Sequence, residues 1–133
     1  NKDPNEISES KISRSLLNFG HSFGHAIETL YGYNKKINHG EAISVGMIIE
    51  AKLSNYLGFL NKNDYEKIKK HFLKSKLKIK FNNINLEKVI KIMKYDKKNL
   101  NKKLTIVLLK GIGNSFVKNN LEFKKILSII KKF

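Results

Sequence analysis

Residues 14–41 read RSLLNFGHSFGHAIETLYGYNKKINHGE, from Arg14 to Glu41, and hold three of the chain's four histidines, its single arginine and four of its eight glycines. On a helix at roughly 100° per residue, Arg14, Asn18, His21 and His25 fall at i, i+4, i+7 and i+11, within an arc of about 60°. They make one polar stripe. Leu16, Leu17, Phe19, Phe23, Ala26, Ile27 and Leu30 occupy the rest of the circumference. A helix apolar around most of its girth that carries imidazoles on one line reads as a buried wall of a site. The pattern predicts a helix from about Ser13 to Tyr31, stopped by Gly32. Gly20 and Gly24 leave one face of that helix without side chains. Each costs about 1 kcal/mol against alanine in a helix interior, so the pair reads as close approach by a second backbone or a ligand, or as a packing feature alone.

Beyond a turn comes His39-Gly40-Glu41 and then AISVGMIIEAKLSNYLGFL, where Ala42, Val45, Gly46, Ile49 and Leu53 recur at helical spacing. His39 is thereby placed at the start of a second helix, whose small residues Gly40, Ala42, Gly46 and Ala51 suit close packing on the first. A connection of about eight residues joins antiparallel neighbours comfortably. Such a hairpin would return His39 toward His21.

Composition bounds the rest. With 133 residues there is room for one domain with its own core. Cysteine is absent, which removes disulfides and thiolate metal sites and fits a reducing compartment. No signal peptide or membrane-length apolar run stands out, so a soluble, cytoplasmic protein with no membrane partner is expected. The net charge of +16 raises the question of nucleic acid. Its 26 lysines are spread through every segment, however, and isoleucine and asparagine are abundant too. That is compositional drift rather than a patch, and no nucleic-acid partner is expected. Against this lysine background, Arg14 reads either as a planar fork for a carboxylate or phosphate or as a stray surface residue.

Imidazole commonly ligates zinc and similar ions, and catalytic zinc keeps three protein ligands and one open position. His21 and His25 share the H-x-x-x-H spacing of the zinc-protease helix, but that motif needs glutamate directly after the first histidine, where Ser22 stands. A protease is a poor reading. Two histidines one turn apart also serve as ordinary core or hydrogen-bonding residues, and spacing alone leaves both readings open.

The run R-x-x-L-N-F-G-H-S-F-G-H-A-I-E, followed by G-Y and H-G-E-A-I-x-x-G-M, resembles the signature of the C-terminal domain of 3-dehydroquinate synthase. The likeness continues through Asp96-Lys97-Lys98-Asn99 and LTIVLLKGIG, from Arg14 to about Val117. It implies a multihelical metal- and substrate-binding domain that follows an NAD-binding domain in a homodimeric enzyme. By position it makes His21 and His39 metal ligands for zinc or cobalt, and sets Arg14, Asn18 and His25 against the substrate in catalytic roles. Either Lys97 or Lys98 would meet the substrate's phosphate end. The family's third ligand, a glutamate well upstream, and a lysine just ahead of the arginine would both lie before Asn1, so this chain alone is expected to be inactive. The ISESKIS stretch also departs from the family's acidic, glycine-containing lead-in.

The implied enzyme is a carbon–oxygen lyase acting on phosphates. It converts 3-deoxy-arabino-heptulosonate 7-phosphate, a sugar phosphate, into 3-dehydroquinate in the shikimate pathway, which feeds chorismate and aromatic amino acid biosynthesis. NAD would be held mainly by the other domain, and no G-x-G-x-x-G run occurs here. The alternatives are another sugar-phosphate cyclase of the same superfamily, or an inactive helical fragment that only binds a partner.

The polar opening, residues 1–12, reads as a lead-in that continues an upstream region, with one domain over residues 13–133. Asp64 to about Leu77 reads as a lysine-rich helix with Tyr65, Ile68, Phe72 and Leu73 inward and His71 facing solvent. Asn85 is a candidate cap for a helix over Leu86 to Tyr95. Leu104 to Leu109 reads as a strand pairing with Ser115 to Lys118, and a last helix is expected from about Leu121 to Ile130. The fold expected is mainly α, with a short β element near residues 104–118.

Overall fold

Local chemistry explains where three of the helices start. In a computed structural model, which describes residues 19–32, 37–82, 84–95 and 103–133, helix α1 spans His21–Leu30, α2 His39–Tyr56, α3 Lys62–Lys74, α4 Leu86–Lys94 and α5 Phe123–Ile130. Strands β1, Lys103–Gly111, and β2, Asn114–Glu122, lie between α4 and α5. Asn38 opens α2 with a capping box: its side chain accepts from the Glu41 N–H at 2.7 Å, while its own N–H donates to Glu41 Oε1 at 3.1 Å. Asn61 caps α3 through the Asp64 N–H at 2.8 Å, and Asn85 caps α4 through the Lys88 N–H at 3.1 Å. The drift toward asparagine thus supplies residues that suit helix entry well.

The organising element is α2. Ala42, Ile43, Val45, Ile48, Ile49, Ala51 and Leu53 are buried, along with Ser44, Gly46, Glu50 and Ser54, so its sides are covered nearly all round. One core cluster joins α1, α2, α4, β1 and α5 through Phe23, Ile27, Val45, Ile90, the β1 residues Leu104, Ile106 and Leu108, and Ile126. A second joins Phe19, Ala51, Leu60 and Tyr65 to Val107 and Leu109. Alternate residues of β1 therefore feed opposite clusters. A strand buried on both faces has no polar alternation, which is why 104–109 is a nearly unbroken apolar run. The Ser54 hydroxyl accepts from the Leu109 N–H at 2.9 Å and ties β1 to α2.

The expected mainly helical fold with a small β element is observed, and β1 pairs antiparallel with β2, Val107 facing Val117 and Leu109 facing Ser115. Three local expectations need correction. Gly20 has φ 82° and stands as the N-cap of α1, so no continuous helix runs from Ser13 to Tyr31. β2 continues through Leu121 to Glu122, which delays the last helix to Phe123. Leu73, expected inward, is 53% exposed, because Tyr65 and Phe72 supply the buried side of α3. Among the described residues, no helix is long and apolar enough to cross a membrane.

Candidate metal centre

Glycine brings α1 and α2 into backbone contact. A Cβ on Gly20 would lie 2.7 Å from the Ile43 carbonyl oxygen, one on Gly24 3.1 Å from that of Ala42, and one on Gly46 2.8 Å from the Gly24 nitrogen. The small-residue pattern is thus helix against helix. Early α1 meets Ile43 and Met47, and late α1 meets His39, so the two run antiparallel.

That packing brings together His21, at the start of α1, and His39, at the start of α2. Their ring centroids are 6.0 Å apart at an interplanar angle of 64°. His21 Nδ1 lies 3.4 Å from the Phe19 carbonyl oxygen, and His39 Nδ1 lies 3.0 Å from Glu28 Oε1. A carbonyl and an ionised carboxylate only accept hydrogen bonds, so each Nδ1 carries the hydrogen in these contacts. In a neutral ring of this tautomer the nitrogen that keeps a lone pair is Nε2. This donor set suits zinc or cobalt, and His21 and His39 fit as two ligands of such a site. Among the described residues, no group of three or more histidine, cysteine, aspartate or glutamate side chains is placed to hold a metal.

Where the sequence predicts a buried wall, the imidazoles are exposed: His21 and His25 lie on the open side of α1 and the His39 side chain is 65% exposed. The apolar faces of α1 are consumed by the core through Phe23, Ala26 and Ile27, which turns the histidine side outward. The Gly20 break also means that one helix cannot carry Arg14, Asn18, His21 and His25 as a single stripe. His25 keeps its place one turn after His21. Arg14, Asn18, Lys97 and Lys98 lie outside the described residues. His71 is exposed on α3, as expected.

Sequence reasoning missed two carboxylates. Glu28 is one, and its side chain is only 14% exposed. The other is Glu50, which is fully buried and, among the described residues, has no hydrogen-bond partner for either oxygen. Burial pushes its pKa well above 4.5, and the nearby backbone N–H groups of Gly20 and Phe23 offset this only in part, standing outside hydrogen-bonding geometry. Its signal in the sequence is a lone acid inside the apolar run of α2. A folded-state pKa raised above the unfolded value means that, above about pH 4.5, the folded chain binds a proton the unfolded chain has released. Stability from this group therefore falls as pH rises through that window. Glu50→Gln removes the titration at nearly constant volume, so the stability difference between variant and parent should move in the variant's favour as pH rises. Urea unfolding across a pH series measures it. A difference that does not change with pH would mean that Glu50 titrates like a solvent-exposed carboxylate.

Comparison with known proteins adds the context. A family model described as 3-dehydroquinate synthase C-terminal matches residues 2–99. The chain is 43% identical over 119 residues to 3-dehydroquinate synthase of Thermodesulfovibrio yellowstonii, with 86% of this chain and 33% of that protein covered. With the same enzyme of Pelagibacter ubique it shares 40% identity over 132 residues, 96% of this chain and 36% of that protein. The chain thus spans about a third of the length of the curated relatives it matches. Among solved structures, 2-epi-5-epi-valiolone synthase from Streptomyces hygroscopicus, with NAD+ and Zn2+ bound, superposes with a TM-score of 0.72 at 20% identity, over 88% of this chain and 32% of that one. At that identity the likeness concerns the fold alone. A 2-deoxy-scyllo-inosose synthase complexed with carbaglucose-6-phosphate, NAD+ and Co2+ gives a TM-score of 0.65 at 26% identity, over 86% of this chain and 32% of that one.

Proposed function

Because this chain belongs to the 3-dehydroquinate synthase C-terminal family, we propose that it is the metal- and substrate-binding part of an enzyme that makes 3-dehydroquinate from 3-deoxy-arabino-heptulosonate 7-phosphate. The single observation that carries the reading is the His21–His39 pair, drawn from two helices with both Nδ1 atoms already engaged. When bound, a divalent ion supplies Lewis-acid polarisation of hydroxyl and ketone oxygens, and NAD supplies the hydride chemistry. The chain's own residues bind and orient. Arg14 offers a two-pronged fork to an anionic group, Asn18 a neutral hydrogen-bonding amide, and Lys97 or Lys98 a cation for the phosphate. His25 can accept or return a proton at its imidazole. The remainder of the enzyme would bring NAD, a third metal ligand and the rest of the substrate pocket.

A second reading is a sugar-phosphate cyclase that closes a different substrate, favoured by the likeness to 2-deoxy-scyllo-inosose synthase. Identities of 40–43% to 3-dehydroquinate synthases support the first reading more strongly. Product analysis of the full-length enzyme on 3-deoxy-arabino-heptulosonate 7-phosphate decides between them: 3-dehydroquinate with release of phosphate is expected, and a different carbocycle would favour the second.

Two imidazoles make an incomplete catalytic zinc site, since three protein ligands are usual. The 133-residue chain should therefore bind zinc or cobalt weakly, and the full-length enzyme tightly. Titration calorimetry on both compares them directly. Tight one-to-one binding by this chain alone, unaffected by His21→Ala, would defeat the ligand assignment.

A further inference from the structure

Glu28 and His21 are seven residues apart on α1, two turns along one face. His39 approaches that face from the first position of α2, and its Nδ1 meets Glu28 Oε1 at 3.0 Å while its ring stands edge-on to His21. The Glu28 side chain is nearly buried at 14% exposure, whereas that of His39 is 65% exposed. Holding a carboxylate so far out of water is costly unless a good donor meets it, and among the described residues His39 is the donor that meets it. A neutral histidine side chain in water favours hydrogen on Nε2, which would close that nitrogen to any ion. Only the alternative form, with hydrogen on Nδ1, satisfies Glu28 and leaves Nε2 as a lone pair.

We propose that Glu28 is a positioning residue that fixes His39 in the Nδ1–H tautomer, so that its Nε2 is ready to ligate a divalent cation beside His21. The tautomer follows from the geometry, while its purpose rests on the metal reading above. His21 has a weaker counterpart in the Phe19 carbonyl at 3.4 Å. The carboxylate thus acts on the second ligand, and does so before any ion arrives. Partners of this kind typically change metal affinity by about 10- to 100-fold when removed.

The test uses the 133-residue chain with 15N-labelled histidine, above the imidazole titration range, where long-range nitrogen–proton correlations separate the two tautomers ring by ring. The parent should show His39 mainly as Nδ1–H. Glu28→Ala should return it toward Nε2–H and weaken zinc binding by about 10- to 100-fold. Glu28→Gln keeps a neutral oxygen acceptor at the same place, so it should restore the tautomer and part of the affinity. A parent-like His39 tautomer in a folded Glu28→Ala chain overturns the proposal, as does a failure of Glu28→Gln to differ from Glu28→Ala. If the tautomer responds as expected but zinc shifts neither the His21 nor the His39 Nε2 resonance, the positioning role stands and the metal reading falls.

Discussion

A single methyl group at Gly46 is expected to cost this fold about 3 kcal/mol and to separate His21 from His39, because nothing it meets can move out of the way. A Cβ there would overlap the Gly20 carbonyl oxygen, and would stand 2.8 Å from the Gly24 nitrogen and 3.1 Å from the Gly20 carbonyl carbon. All three are backbone atoms of α1 or its N-cap. Flexible side chains can swing aside; a helix entry can relieve the clash only by lifting off α2. That lift would withdraw His21 from His39, so zinc binding should weaken along with stability. Two controls calibrate the effect. Gly58 has φ 86° with nothing among the described residues within 4 Å of a Cβ, so Gly58→Ala should cost only about 1 kcal/mol of backbone strain. Gly111 is open and free of left-handed strain, and Gly111→Ala should change little. Urea unfolding of the three variants ranks them. A Gly46→Ala chain within about 0.5 kcal/mol of the parent, the usual range for inconspicuous surface changes, would mean that the helices do not dock in this way.

Gly46 also shows where reading the sequence succeeds and where it stops. Its small-residue spacing, with His39 at a helix start, is enough to bring His39 back to His21. The apolar run at 104–109 identifies β1, and Asn85 announces α4. Gly20 is misread because a missing Cβ serves two purposes with one local signature. It lets backbones touch inside a helix, and it permits the left-handed φ of 82° that starts a new one. The contact that bears on this choice lies on α2, at Ile43 and Met47, and no window along α1 contains it. Glu28 escapes notice for a similar reason, since its partner His39 lies across the hairpin. Glu50 is hidden by its surroundings: an apolar helical period around one acid reads the same whether the acid points inward or outward. The exposure of the histidines follows from a packing choice, α1 giving Phe23, Ala26 and Ile27 to the core. The roles of Arg14, Asn18, Lys97 and Lys98 rest on motif resemblance alone, because those residues lie outside the described part of the structure.

In the full-length enzyme, His21→Ala should lose metal and activity together, whereas His25→Ala should keep its metal and lose turnover by roughly 10²- to 10⁴-fold, the usual worth of general acid–base assistance. The two residues sit one turn apart on the same side of α1, so helical position alone does not separate them. His21 has a second imidazole beside it: it stands edge-on to His39 with 6.0 Å between ring centroids, its Nδ1 turned to the Phe19 carbonyl. A ligating imidazole must stay neutral and aimed at the ion, while a proton carrier must gain and release its proton near pH 7. One ring cannot easily do both. Metal analysis beside kcat for each variant makes the comparison. Equal metal loss in both variants would show that His25 is a ligand, and full turnover in His25→Ala would leave the proton transfer to another group.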